Sequence, residues 1–145
     1  MDQPYKHILV GLDGSNASKL AFEKAVRVAK KNEAELILAH VVDARTFSTY
    51  DWYTQMAEKA KDAGEELLKN FEEEAHQHGV AHVKTVIEFG SAKTTLAKTI
   101  ASEHQADLII CGATGMSGVD RFIMGSVSEH TARYAKCDVL IVRNQ

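Results

Sequence analysis

Proline is nearly absent from this sequence, occurring once in 145 residues, and cysteine occurs only as Cys111 and Cys137. With 1 Pro and 9 Gly, collagen-like and disordered classes are excluded. Two cysteines without metal-ligand spacing make neither a disulfide framework nor a zinc site, so both read as reduced, buried thiols. There is no excess of positive charge. Against 20 Asp and Glu stand 17 Lys and Arg, net −3, which gives no broad basic surface for a phosphate backbone and excludes nucleic acid as the main partner. Apolar runs fall far short of the ~20 residues that cross a bilayer, and Met1 to Tyr5 carries no basic segment followed by an apolar one. The expectation is a cytoplasmic protein with no membrane contact.

What is present is the balance of a globular protein, with 45% hydrophobic and 26% charged residues. At ~100–200 residues per domain, 1–145 reads as a single domain able to bury about 68–70% of its unfolded surface. Tyr5 to Leu12 is a short β-branched run ending in Asp13-Gly14-Ser15, a strand followed by a turn. Ser15 or Asn16 is placed to cap a helix whose apolar positions are Ala17, Leu20, Ala21, Ala25, Val28 and Ala29, ending at Lys30-Lys31-Asn32. Glu35 to Val42 is a second strand. Residues 43–53 have no period and read as a loop, with Phe47, Tyr50, Trp52 and Tyr53 anchoring it by aromatic packing.

Met56, Ala60, Ala63, Leu67, Phe71 and Ala75 then mark one face of a long helix that stops near Gly79. Val83 to Phe89 is a third strand, and Ser91 is placed to cap a helix with Leu96, Ala97, Ile100, Ala101 and His104 inward. Asp107 to Cys111 is a fourth strand. A glycine-rich stretch from Gly112 to Gly125 leads into a helix from Ser126 to about Lys136 and a last strand from Asp138 to Arg143. Strands that alternate with helices and are apolar on both faces indicate a three-layer, doubly wound α/β fold of the Rossmann-like kind.

In such a sheet, ligands collect at the carboxyl ends of the strands, where this sequence holds its unusual residues. Gly112-Ala113-Thr114-Gly115, nine residues, and then Gly125-Ser126-Val127-Ser128 put two glycines where a strand ends and a third where a helix begins. Glycines admit a close backbone approach, and free N–H groups at a helix N-terminus bind anions without a lysine. Ser126 and Ser128 add hydroxyls. Turn geometry and capping are the alternative reading of the same residues. Gly90-Ser91-Ala92-Lys93-Thr94 lacks the glycines of a P-loop, and no Gly-x-Gly-x-x-Gly follows the first strand.

The pattern Gly-x-x-Gly-x9-Gly-Ser after the fourth strand resembles the ATP-binding signature of the universal stress protein family. The resemblance runs the length of the chain, through Ile8 to Ser15, His40-Val41-Val42-Asp43 and Val139 to Val142. It implies strand order 3-2-1-4-5 and ATP, with ADP or AMP as alternatives, at the switch point between strands one and four. A divalent cation such as Mg²⁺ would accompany the phosphates. Gly11, Leu12 and Asp13 would border the nucleotide, and Val41 would meet adenine through its backbone. Gly112 and Gly115 would lie against ribose and the α-phosphate, and Gly125, Ser126 and Val127 would hold the outer phosphates. A proline that often follows the cysteine in the family is Asp138 here, away from the crevice.

Among single residues, Asp13 is open to three readings: ribose contact, a metal on the phosphates, or a bond within its own turn. Arg121 in the spacer either reaches a phosphate or is solvated. His40 reads as a hydrogen-bonded strand histidine near the site. His76, His78 and His82 diverge at a helix end and do not read as metal ligands. The functional expectation is a nucleotide-dependent regulator in the stress response. A slow ATP hydrolase or phosphotransferase using the same site, and a dimeric adaptor with structural nucleotide, are the alternatives. If the family order holds, Val139 to Val142 lies at the sheet edge and pairs with a second copy in a homodimer.

Overall fold

His-Ile-Leu-Val-Gly forms β1 (His7–Gly11), three of whose five residues are fully buried. A computed structural model describes residues 4–43, 50–113 and 125–143. Ser15 is extended and its hydroxyl oxygen accepts the Ser18 N–H at 3.1 Å, which starts α1 (Asn16–Asn32) and settles the choice of cap in favour of Ser15. Lys30 and Lys31 occupy the last turn, where cations suit the helix dipole. After α1 come β2 (Glu35–Val42), α2 (Tyr50–Gln77) and β3 (Val83–Phe89). Three continuous segments then form α3: a turn at Ala92–Thr94, a π-helical turn at Thr95–Ile100 and a last α-turn at Ala101–Glu103. β4 (Leu108–Gly112), α4 (Ser126–Tyr134) and β5 (Asp138–Val142) complete the chain.

All strand pairs are parallel, in the order β3-β2-β1-β4-β5. Side chains alternate across the sheet, so sequence parity assigns each to a face. Ile8, Val10, Leu36, Leu38, Leu108 and Ile110 pack with Phe22, Ala25 and Leu68 of α1 and α2. Leu9, Ile37, Ala39, Ile109 and Cys111 pack with Leu96 and Ile100 of α3, and Val127 of α4 joins that cluster. The three central strands are buried on both faces, as expected for a covered parallel sheet, whereas β3 and β5 at the edges are part exposed.

Several sequence expectations are corrected. The loop expected over 43–53 ends early, because the backbone is helical from Tyr50. No glycine or proline stands in Tyr50 to Tyr53 to stop the helix from starting there. Phe47 lies outside the described residues. The stripe expected on α2 holds in its second half, where Leu67, Phe71 and Ala75 pack against the core, but is displaced before it: Ala57, Gly64 and Leu68 are buried, while Met56 and Ala63 are exposed. Gly64 sets the displacement, since a Cβ there would come 2.6 Å from His40 Cδ2 and 2.8 Å from Ile87 Cδ1. Only a missing side chain lets α2 approach β2 and β3 so closely. Ser91 has the conformation of a cap but makes no side-chain capping bond. Both cysteines are free, yet only Cys111 is buried; Cys137 is half-buried because it precedes an edge strand.

Candidate functional site

The site grows from the parity of the central strands. On the face covered by α3 and α4, β1 ends at Gly11, β2 continues through Ala39 to Val41, and β4 ends at Cys111 and Gly112. These residues form the floor of a cavity of about 330 Å³. β1 stops pairing with β2 at Gly11 opposite Ala39. The Leu12 N–H donates to the Ala39 carbonyl at 2.8 Å, so Ala39 turns its peptide groups toward β1. Along an extended strand Val41 turns its own N–H and carbonyl the same way, beyond the end of β1. Val42 faces the other way, its carbonyl accepting the Gly90 N–H at 2.9 Å. The Val41 main chain is thus turned toward the cavity side of the sheet, where adenine recognition by backbone would need it.

The α4 end of the cavity is held by its own hydrogen bonds. Gly125 is the N-cap of α4, and the Gly125 N–H donates to the Ala113 carbonyl at 2.6 Å. Intrahelical bonding begins with the Glu129 N–H on the Gly125 carbonyl, which leaves the N–H groups of Ser126, Val127 and Ser128 without intrahelical acceptors. All three residues line the cavity. With the helix dipole, they make a concentration of positive potential at this end of the cavity. The Ser128 hydroxyl is 3.0 Å from both the Ala113 and Gly125 carbonyls, so its proton is engaged with the protein's own backbone. The expectation that Ser128 adds a hydroxyl donor is corrected; it contributes its main chain, and Ser126 keeps the exposed hydroxyl.

Thr131 anchors α4 over β4. It is fully buried and its hydroxyl donates to the Val127 carbonyl at 2.7 Å. Burial pushes the Cys111 thiol up to about 12, and a side-chain hydrogen bond with Thr131 works against that rise. Cys111 therefore walls the cavity as a neutral, unreactive thiol.

The third wall comes from α3. Its π-helical turn carries Leu96, buried and directed at Gly11: a Cβ on Gly11 would lie 3.0 Å from Leu96 Cδ2. Gly112 has a different packing reason to be glycine, because a Cβ there would stand 2.6 Å from the Ala17 carbonyl oxygen. The close seat of α1 on β4 thus requires Gly112 whether or not a ligand is bound.

The turn after β1 closes the site. Gly14 has φ +82°, a conformation that favours glycine, and Asp13 accepts the Ser15 N–H on Oδ1 at 2.9 Å. Of the three readings of Asp13, the bond within its own turn is therefore present, and the second carboxylate oxygen has no partner among the described residues. His40 Nδ1 donates to the Leu12 carbonyl at 2.7 Å, as a hydrogen-bonded strand histidine beside the site should.

Nine expected residues line this cavity together: Gly11, Leu12, Asp13, Val41, Gly112, Gly125, Ser126, Val127 and Ser128. Gly115 and Arg121 lie outside the described residues. His76 is used elsewhere, its Nδ1 donating to the Val80 carbonyl at 2.9 Å. Sequence reasoning missed Ser15, Ser18, Ala39, Ala92, Leu96 and Cys111 as lining residues. Strand alternation from Val41 and from Gly112 would have found Ala39 and Cys111, but a π-turn leaves no simple periodic mark, so Leu96 had no readable signal as a wall of the site.

Comparison with known proteins agrees with this architecture. Residues 4–143 match the model of the universal stress protein family. A relative of that name from Staphylococcus haemolyticus is 49% identical over 142 residues, covering 97% of this chain and 86% of its own. Among solved structures, the universal stress protein UspA from Lactobacillus plantarum has a TM-score of 0.89 at 26% identity, covering 98% of this chain and 100% of that one. A universal stress protein in complex with cAMP has a TM-score of 0.70 at 27% identity, covering 97% and 98%.

Proposed function

The chain belongs to the universal stress protein family, and from that premise we propose that it is a nucleotide-dependent regulator of the stress response that binds ATP in the cavity between β1 and β4. One observation carries the reading: backbone donors at the start of α4 and the outward-turned main chain of Val41 border a single cavity of about 330 Å³, within the ~300–1,000 Å³ usual for small-molecule sites. This combination suits a ligand that carries both a flat polar edge and anionic groups. The cAMP complex of a similar protein supports an adenine nucleotide as the class.

In this reading Val41 contacts adenine, Gly11, Leu12 and Asp13 border the nucleoside, Gly112 and Gly115 lie against ribose and the α-phosphate, and Gly125, Ser126 and Val127 hold the outer phosphates. A divalent cation such as Mg²⁺ would offset phosphate charge, with the free oxygen of Asp13 as the carboxylate at hand. Turnover is slow or absent, because backbone N–H groups stabilise a bound phosphate without activating water, and the described cavity wall offers no general base beyond Asp13. The output is then conformation, with two copies pairing along Val139 to Val142.

Isothermal titration with ATP and GTP, each with Mg²⁺, tests the assignment. Saturable binding of ATP and weaker binding of GTP are expected. No binding of ATP at millimolar concentration contradicts the reading, and metal-dependent phosphate release above about 1 per second places the protein among enzymes instead.

A further inference from the structure

A second concavity, of about 470 Å³, shares no lining residue with the first and lies between α3 and the turn from α4 into β5. Its floor is made of small groups, Ala97, Ala101, Ala106 and Cys137, whose size leaves the space open. Tyr134 stands at its edge and is 52% exposed, the largest exposure of a bulky apolar side chain among the described residues. That ring is nevertheless held in place. His130 packs against it at 4.6 Å between centroids, and Lys98 Nζ stands 5.5 Å from its centre.

The rim is cationic. Lys98 and Lys136 both line the groove, and neither has an ion-pair partner among the described residues. Lys93 and Lys98 extend the same positive field to His130; partial burial first, and then these two charges, hold its imidazole below the usual value. Two carboxylates approach the Cys137 end, Asp107 and Asp138. Both are engaged toward the start of β1, Asp107 with the Lys6 and His7 N–H groups at 2.8 and 3.1 Å and Asp138 with the Tyr5 hydroxyl at 2.6 Å. The groove is thus cationic on its Lys98 and Lys136 side and anionic at its Cys137 end, around an apolar floor with one fixed aromatic ring.

We infer that this groove is a second ligand site, separate from the nucleotide cavity, and that it takes a flat aromatic monoanion. The ring system lies on Ala97, Ala101 and the exposed part of Tyr134, and the carboxylate or sulfonate sits between Lys98 and Lys136. Ser102 and Gln105 on the rim supply hydrogen bonds to a polar substituent. A strongly charged phosphate chain fits less well, because no main-chain N–H cluster lines this groove and most of its floor is apolar.

The test uses 8-anilinonaphthalene-1-sulfonate as the probe, titrated by fluorescence against the full chain with millimolar ATP and Mg²⁺ present. One saturable site is expected. The double variant Lys98→Ala/Lys136→Ala weakens it about fivefold, in keeping with two exposed charge contacts. N-phenyl-1-naphthylamine, which has the same rings without the sulfonate, binds more weakly by a similar factor, and Tyr134→Ala also weakens the site. Lys59→Ala, an exposed lysine on α2, leaves affinity unchanged. These side chains are exposed, so circular dichroism of the variants should match the parent. Displacement of the probe by ATP, equal binding of the neutral probe, or unchanged affinity in the lysine and tyrosine variants overturns the inference. The titration of ATP alone decides whether ATP binds; if it does not, the neutral probe and the lysine and tyrosine variants still report on this groove.

Discussion

His40 and Leu12 are joined beside the cavity between β1 and β4: the His40 Nδ1–H donates to the Leu12 carbonyl at 2.7 Å. The bond ties the end of β2 to the turn leaving β1, so it fixes Leu12 and Asp13 relative to Val41. His40→Ala leaves that carbonyl without its donor, which should cost about 1–3 kcal/mol in urea unfolding and weaken ATP binding. Unchanged stability and unchanged affinity would remove His40 from the account.

Gly64 backs the same histidine from α2. In a helix interior, glycine to alanine ordinarily gains about 1 kcal/mol. Here the added methyl meets His40 and Ile87 at 2.6 and 2.8 Å. Overpacking of this kind costs about 1–3 kcal/mol, so Gly64→Ala should be neutral to destabilising, by up to about 2 kcal/mol. Stabilisation by the full helix-propensity gain would mean that α2 can move away from the sheet without cost.

The Cys111 thiol gives a pH dependence with a definite sign. Burial raises it from 9.0 to about 12, so above pH 9 the unfolded chain loses this proton and the folded chain keeps it. The folded state then binds more protons, and stability falls as pH rises from 9 toward 12, having been fully present below 9. Between pH 9.5 and 10.5 the parent should lose about 1 kcal/mol more than Cys111→Ala. Parallel curves for the two proteins would contradict the burial of the thiol.

β5 is the edge of the sheet beside β4, and its apolar residues are only half-buried. Soluble proteins protect or pair such an edge. Sedimentation at micromolar concentration should therefore give twice the chain mass. A monomeric mass would mean that the edge is protected in another way.

Much of the fold was legible because its signals are local. Apolar runs from Ile8 to Val10 and from Leu36 to Leu38 identify strands covered on both faces, and Ser15 identifies the start of α1. The site was legible where strand ends carry glycine and a helix begins at Gly125. Other features depend on contacts between distant segments. Nothing around Gly64 indicates that His40 will lie against it and rotate the buried stripe of α2 from Met56 to Ala57. The π-turn that brings Leu96 over Gly11 and the groove that joins Lys98 to Lys136 have the same origin. In each case, tertiary packing decides what periodicity leaves open.

Calorimetric titration of ATP into the parent and into Gly125→Val, side by side, tests nucleotide binding at the α4 terminus most directly. Gly125 has φ −69° and ψ 163°, an extended conformation that valine adopts without backbone strain. A branched side chain would still occupy space beside the N–H groups of Ser126 and Val127. The account predicts that the parent binds ATP, that Gly125→Val keeps the circular dichroism of the parent, and that the variant loses ATP binding by tenfold or more. A folded Gly125→Val that binds ATP as the parent does would contradict it, and the glycine would then be turn geometry alone.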